Sequence, residues 1–318
     1  MERHPALGVA LVLAAATLWG TTGTARSLSG GALDAAWFGA LRLLVAAAFY
    51  LLLAAATARG SRTDGPAPRT ARPTPWLALL AAGACMAVYN LAFFAGIGAA
   101  GVGLGTAVAL GSGPVWAGLL EALALRRAPG AAWWGGSTRA VAGGVLMSLA
   151  GGGAGAADAA ARAGGIGLCL LAGAAYAGYA LINKQLAARV APQRFTGVAF
   201  AASAAVALPG ALWLAGPPRL ALADLPALLW VGVATSGVAY LLLSHALRHV
   251  SAATGVTLSL MEPVVAFVLA VTLLGEAAGR QAIAGLALVV AGVLWVARAA
   301  LGPGPASNAS RRVAPPAA

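Results

Sequence analysis

Ten stretches of about 20 apolar residues, the length that crosses a bilayer as a helix, recur along this chain with almost no charge inside them. They fall at 6–25, 34–57, 76–97, 103–125, 137–154, 164–184, 195–215, 224–246, 252–274 and 281–300. Inside hydrocarbon every backbone N–H and C=O must find a partner within the protein, which favours helices over open sheets. Composition excludes the soluble alternative. Hydrophobic residues make up 61% and charged residues 9%, whereas soluble domains carry roughly 25% charge. Mean hydropathy is +0.87. The expected fold class is therefore all-α integral membrane, with ten transmembrane helices. The fifth stretch, AVAGGVLMSLAGGGAGA, is the weakest, because glycine disfavours helix. The first follows a short charged start, MERH, and resembles a signal peptide. It is long for one and has a counterpart later in the chain, so it reads as a retained helix.

The net charge of +12 sits in short loops between apolar runs, without the interleaved aromatics of a nucleic-acid surface, so no nucleic-acid partner is expected. With both termini on the inner side, fifteen basic residues fall inside, among them Arg59, Arg62, Arg69, Arg72, Arg126 and Arg127. Four fall outside: Arg26, Arg162, Arg219 and Arg280. A bias of that size orients membrane proteins. It predicts a multi-pass protein of the plasma (inner) membrane with cytoplasmic termini. The proline- and alanine-rich stretch 301–318 reads as a disordered cytoplasmic tail, and its Asn308-Ala309-Ser310 sequon as a chance match. Cys85 and Cys169 lie within apolar runs without metal spacing and read as packing residues.

The two halves repeat. LGSGPVWAGLL in the fourth run matches LSLMEPVVAFV in the ninth, with Pro114 and Pro263 offset by 149 residues. Trp19-Gly20 corresponds to Tyr176-Ala177. Five helices per half is an odd number, so the second half, 164–300, enters the membrane in the opposite sense to the first, 6–154. Such inverted repeats are typical of transporters that rock around a site at mid-depth.

Candidate residues are polar groups at that depth. Glu262 is the strongest, because an acid at the bilayer centre costs at least about 2.5–3.5 kcal/mol and is rarely idle. Pro263 beside it is expected to free the carbonyl of residue 259, which suits a protonatable switch. The alternative is a carboxyl that only pairs or packs. Glu121, seven residues after Pro114, either faces the same cavity or pairs with Arg126 or Arg127 at the rim. Arg42 either holds an acid or snorkels to the interface. His245 either relays protons or lies at the interface. Tyr89, Asn90, Tyr176, Tyr179, Tyr240 and Trp19 could supply directed hydrogen bonds on an apolar wall or simply pack. Trp133 and Trp134 read as interfacial belt. Glu276 is expected to cap the start of the last helix. No nucleotide-binding, metal or hydrolase motif is present, so no cofactor is expected.

Several stretches resemble the drug/metabolite transporter superfamily, EamA type: LWGTTGTA, FGALRLLVAA with Arg42, YLLLSHALRHVSAATG, and LSLMEPVVAFVLAVTLLGEAAGRQAIAGLALVVAGVLWV. The resemblance runs from about residue 8 to residue 299. One departure is Leu125-Arg126-Arg127, where that family often has Gly-Glu. The resemblance implies ten helices, inward termini and export or exchange of amino acids, related metabolites or drugs. With no ATP site, transport is expected to run on a gradient or downhill; Glu262 makes protons the expected coupling ion, and the partners are a small-molecule substrate and the lipid bilayer. Two other readings remain at this point. One is an exchanger of anionic metabolites or nucleotide-sugars, which would need more intramembrane cations than Arg42. The other is a non-transporting scaffold or sensor. A membrane enzyme would need clustered acids, histidines or a nucleophile at one interface.

Overall fold

The computed structural model describes residues 4–29, 33–60, 74–126, 128–150 and 159–302. The chain makes ten helical crossings: α1 (Pro5–Leu28), α2 (Ala35–Gly60), α3 (Trp76–Ala100), α4 (Val102–Leu125), α5 (Ala131–Ala150), α6 (Ala159–Leu186), α7 (Pro192–Ala215), α8 (Leu222–Ala246), α9 (Ala252–Leu273) and α10 (Arg280–Leu301). Among the described residues nine are long and apolar enough to span a bilayer by length and composition. The other is α5, whose first turns carry Trp133, Trp134 and Arg139. It starts earlier than its apolar run, and Trp133 packs inward; a Cβ at Gly118 would stand 2.8 Å from the Trp133 ring. Trp133 is thus buried and is not a belt residue, while Trp134 stays exposed. The loop arginines 62, 69, 72 and 127, the glycines 151–153 and the tail 303–318 with its sequon lie outside the described residues.

Helix contacts obey the repeat. If α1–α5 map onto α6–α10, the α3–α6 contact has α1–α8 as its mate, and α4–α6 has α1–α9; α2–α7 and α5–α10 map onto themselves, and all of these contacts are made. These are the contacts that two repeats of five helices would make with each other. Their seams are lined by small residues, as membrane helix pairs require. Gly83 seats against Ala199 and Ala202, and Gly96 against Cys169. The outside is apolar, with Leu51, Leu77, Trp213 and Leu222 exposed.

The repeat extends to the backbone where side chains differ. After α9, Gly275 has φ +71°. At the same 149-residue offset after α4, Arg126 has φ 51°. A left-handed conformation costs a non-glycine residue roughly 1–2 kcal/mol. Arg126→Gly is therefore expected to raise stability by about 1 kcal/mol, read as a higher melting temperature in detergent. Glu276 is exposed and does not cap α10, whose N-cap residue Gly279 makes no side-chain cap. Its amide instead donates to the Ala270 carbonyl at 3.1 Å, closing the end of α9.

Two crossings are irregular, and both matter to the site. The middle of α8, Val231–Val238, winds as a π-helix. Its Gly232 and Gly237 leave no room for a Cβ because Val45 and Phe49 of α2 press against them. Its wall accepts buried hydrogen bonds: Trp19 Nε1 donates to Thr235 O at 2.8 Å and Tyr50 Oη to Gly237 O at 2.6 Å. Such π turns recur at functional sites. α9 is broken between a short half, Ala252–Leu258, and a longer one, Met261–Leu273.

Candidate functional site

A cavity of about 120 Å³ lies among helices of both halves, level with the middle of α3 and α9 at Tyr89 and Glu262, and reaches toward the starts of α2 and α4 at Phe38 and Thr106. Glu262 enters it from the first turn of the longer half of α9. Helix N-terminal amides favour negative charge there. Pro263 follows in the same turn, where a missing N–H breaks no helical bond. The break differs from the sequence expectation. The carbonyl of Ser259 is not left open, since the Glu262 amide donates to it at 2.9 Å. Gly20 of α1 brings its backbone against this turn, so that a Cβ would stand 2.9 Å from the Glu262 carbonyl.

Arg42 faces the same cavity from α2 and does not snorkel. Its guanidinium donates to Ser236 Oγ on the π turn and to Asn90 Oδ1 on α3, each at 3.2 Å. Asn90 is fully buried and stands just behind the wall. Because both bonds use the planar fork, Arg42→Lys is expected to cost about 1–2 kcal/mol; an unchanged melting temperature would show that the fork is not structural.

The walls are aromatic. Trp19 and Tyr176, the pseudo-symmetric pair, meet edge to face at 6.4 Å between centroids, and Trp19 meets Tyr240 at 5.0 Å. Tyr89 packs on Tyr176 at 5.5 Å. The Tyr176 hydroxyl is buried and meets no partner within hydrogen-bonding geometry among the described residues. Tyr179 lies directly beneath, fully buried, its ring 5.7 Å from that of Tyr240. Together with Phe195, Phe200, Leu243 and Leu247, all buried, it fills the bundle on the terminal side.

Of the sequence candidates, Trp19, Arg42, Tyr89, Tyr176, Tyr240 and Glu262 line one cavity. Pro263, Asn90, Tyr179, Pro114, Glu121 and His245 do not. Pro114 faces a separate apolar hollow beside Trp133 and Val141; matching prolines on the sequence does not place them at one site. Glu121 accepts the Ala253 amide at 2.8 Å, away from the cavity. His245 bonds within its own helix through Nδ1 and Leu241 O at 2.8 Å. Neighbouring His249 lies outside the crossings. Burial, then His4, Lys184, Arg248 and His245, hold its imidazole below the ordinary range, and its Nδ1 accepts the His4 amide at 3.2 Å.

Sequence reasoning missed Thr22, Phe38, Phe93, Phe94, Thr106 and Ser259, which also line the cavity, and Ser236, which anchors Arg42. Serine and threonine carry no signal in a hydropathy profile. The one available clue was adjacency: Ser259 precedes Glu262 at a break, and Ser236 lies between small residues in α8.

The sequence matches the EamA-like transporter family over residues 6–149 and 163–298. The protein of Bacillus subtilis (strain 168) named "Uncharacterized transporter YwfM" is 32% identical over 293 residues, covering 91% of this chain and 93% of that protein. A solved structure, called only "Crystal structure of protein", is 21% identical and superimposes with a TM-score of 0.77, covering 92% of this chain and 97% of its own. The last likeness is one of fold.

Proposed function

The chain belongs to the EamA-like transporter family, and on that premise we propose that it is a proton-driven secondary exporter of small metabolites, amino acids or amphipathic compounds. One observation carries this reading: a carboxylate and a guanidinium face a single aromatic-walled cavity at mid-depth. Glu262 takes up and releases the coupling proton. Its charge is expensive at that depth, so its protonation state changes the cost of exposing the cavity to either face. Arg42, held by Ser236 and Asn90, keeps a fixed positive charge opposite, while the aromatic rings take the apolar part of the substrate. A single guanidinium suits a substrate with at most one anionic group and disfavours phosphorylated sugars or nucleotides.

In this reading the repeats 6–154 and 164–300 rock about the pseudo-twofold axis, with both termini cytoplasmic in the plasma membrane. The test is an efflux screen of metabolites and drugs in a null strain against an overexpressor, repeated with a proton uncoupler. Export of at least one compound that collapses with the uncoupler is expected. Export indifferent to the uncoupler would remove the proton from the mechanism, and no redistributed compound would remove transport itself.

A further inference from the structure

The short half of α9, Ala252–Leu258, is buried at every residue. It directly precedes the break and Glu262, and lies on the terminal side of the cavity. Its first turn is held from both repeats. Ser251 Oγ accepts the Thr254 amide at 3.0 Å. The Ala253 amide is taken by Glu121 of α4, from the other repeat, at 2.8 Å. A second bond across the repeats joins Ser137 of α5 to Thr257, hydroxyl to hydroxyl, at 3.1 Å. Glu121 is only 9% exposed, so this contact is largely shielded from water.

A carboxylate accepting an amide at a helix start is a charge-assisted bond aligned with the helix dipole. Removing it leaves a buried donor unsatisfied. The Glu121 contact therefore favours the arrangement in which the half-helix lies against α4. In that arrangement Leu243, Leu247 and Leu258 are fully buried and the terminal side is filled.

We propose that Glu121 is a positioning residue that latches the Ala252–Leu258 half-helix across the repeats and so holds the cavity shut toward the terminal face. It acts through α9 on the placement of Glu262 and touches no substrate. The proposal rests on the alternating-cavity reading above, but its test needs no substrate, so the two can fail separately.

The reporter is Ser244→Cys, a near-isosteric change at a residue 2% exposed on the terminal side, in a background with Cys85→Ala and Cys169→Ala. A second reporter, Thr22→Cys, sits in the cavity on the opposite side. A membrane-impermeant maleimide is applied to vesicles of each orientation. Glu121→Ala is expected to raise labelling at position 244 from the terminal face at least about tenfold, equivalent to about 1.4 kcal/mol, and to lower labelling at position 22 from the other face. Glu121→Gln keeps an accepting oxygen and is expected to restore most of the parent pattern. Unchanged labelling at position 244, or a parallel rise at both positions, would overturn the proposal, because mere loosening exposes both. If Glu121→Ala does not fold, Thr257→Val cuts the companion bond at constant shape. It is expected to shift the two reporters in the same opposed directions, and no shift there overturns the latch equally.

Discussion

Glu262→Gln is expected to reduce pH-driven flux in proteoliposomes to the level of empty vesicles, while exchange of internal for external substrate continues. The substitution keeps the size and the hydrogen-bonding capacity of the side chain and removes only its titration. Without a proton to bind and release, an imposed pH gradient no longer biases the two orientations of the cavity. Exchange does not need that bias, because the loaded protein still reorients. The same change is expected to raise the melting temperature. The ionised carboxyl costs at least about 2.5–3.5 kcal/mol at mid-depth, and the amide escapes that cost. Flux that still follows the pH gradient in the variant would assign coupling to another group. A fall in both flux and exchange, with lowered stability, would make Glu262 a packing residue.

Gly143→Leu is expected to abolish the α5–α10 seam and with it a monodisperse folded protein. A Cβ at Gly143 would stand 2.5 Å from the Gly285 carbonyl oxygen and 2.6 Å from the Val289 amide nitrogen. The mirror contacts are as close: a Cβ at Gly285 meets Gly143 O at 2.6 Å, and one at Gly292 meets Gly136 O at 2.5 Å. The obstructing atoms are backbone and cannot swing away as a side-chain tip could. In lipid no hydrophobic force returns the helices to contact once they are parted. Even Gly143→Ala, which gains about 1 kcal/mol of helix propensity, is expected to lose more than that through overpacking at about 1–3 kcal/mol. Thermal melting followed by size-exclusion chromatography distinguishes these outcomes. A Gly143→Ala protein as stable as the parent would show that the two helices can separate by a few tenths of an ångström without penalty.

This seam also shows how far a sequence can be read. Gly285 and Gly292 stand out in the last helix as spaced glycines, yet nothing in the chain says that their partners are Gly136 and Gly143. The cavity divides in the same way. Glu262 and Arg42 were legible because a charge in an apolar run is anomalous whatever surrounds it. Trp19 and Tyr176 were legible as mates of a repeat. Ser236 and Ser259 were not, because a hydroxyl in a membrane helix is unremarkable until a partner reaches it. Pro114 and Glu121 were drawn toward the site by analogy with Pro263 and Glu262, and the structure puts each against a different neighbour.

What the sequence determined by itself is what each segment can decide alone. Hydropathy and length make ten crossings, an odd count of five per half implies an inverted second half, and the cost of charge in lipid singles out Glu262. What only the tertiary structure decided is the direction in which side chains point. Successive residues of a helix turn by about 100°, so an extra residue accommodated in the π turn Val231–Val238 rotates the rest of α8, Tyr240 included, away from the face a regular helix would give it. Within that turn Val45 and Phe49 press on Gly232 and Gly237, a contact between residues almost two hundred positions apart. The same holds at Glu121, whose role follows from the Ala253 amide it meets. A local pattern can say that a buried carboxylate needs a partner. Only the packing of one repeat on the other supplies it.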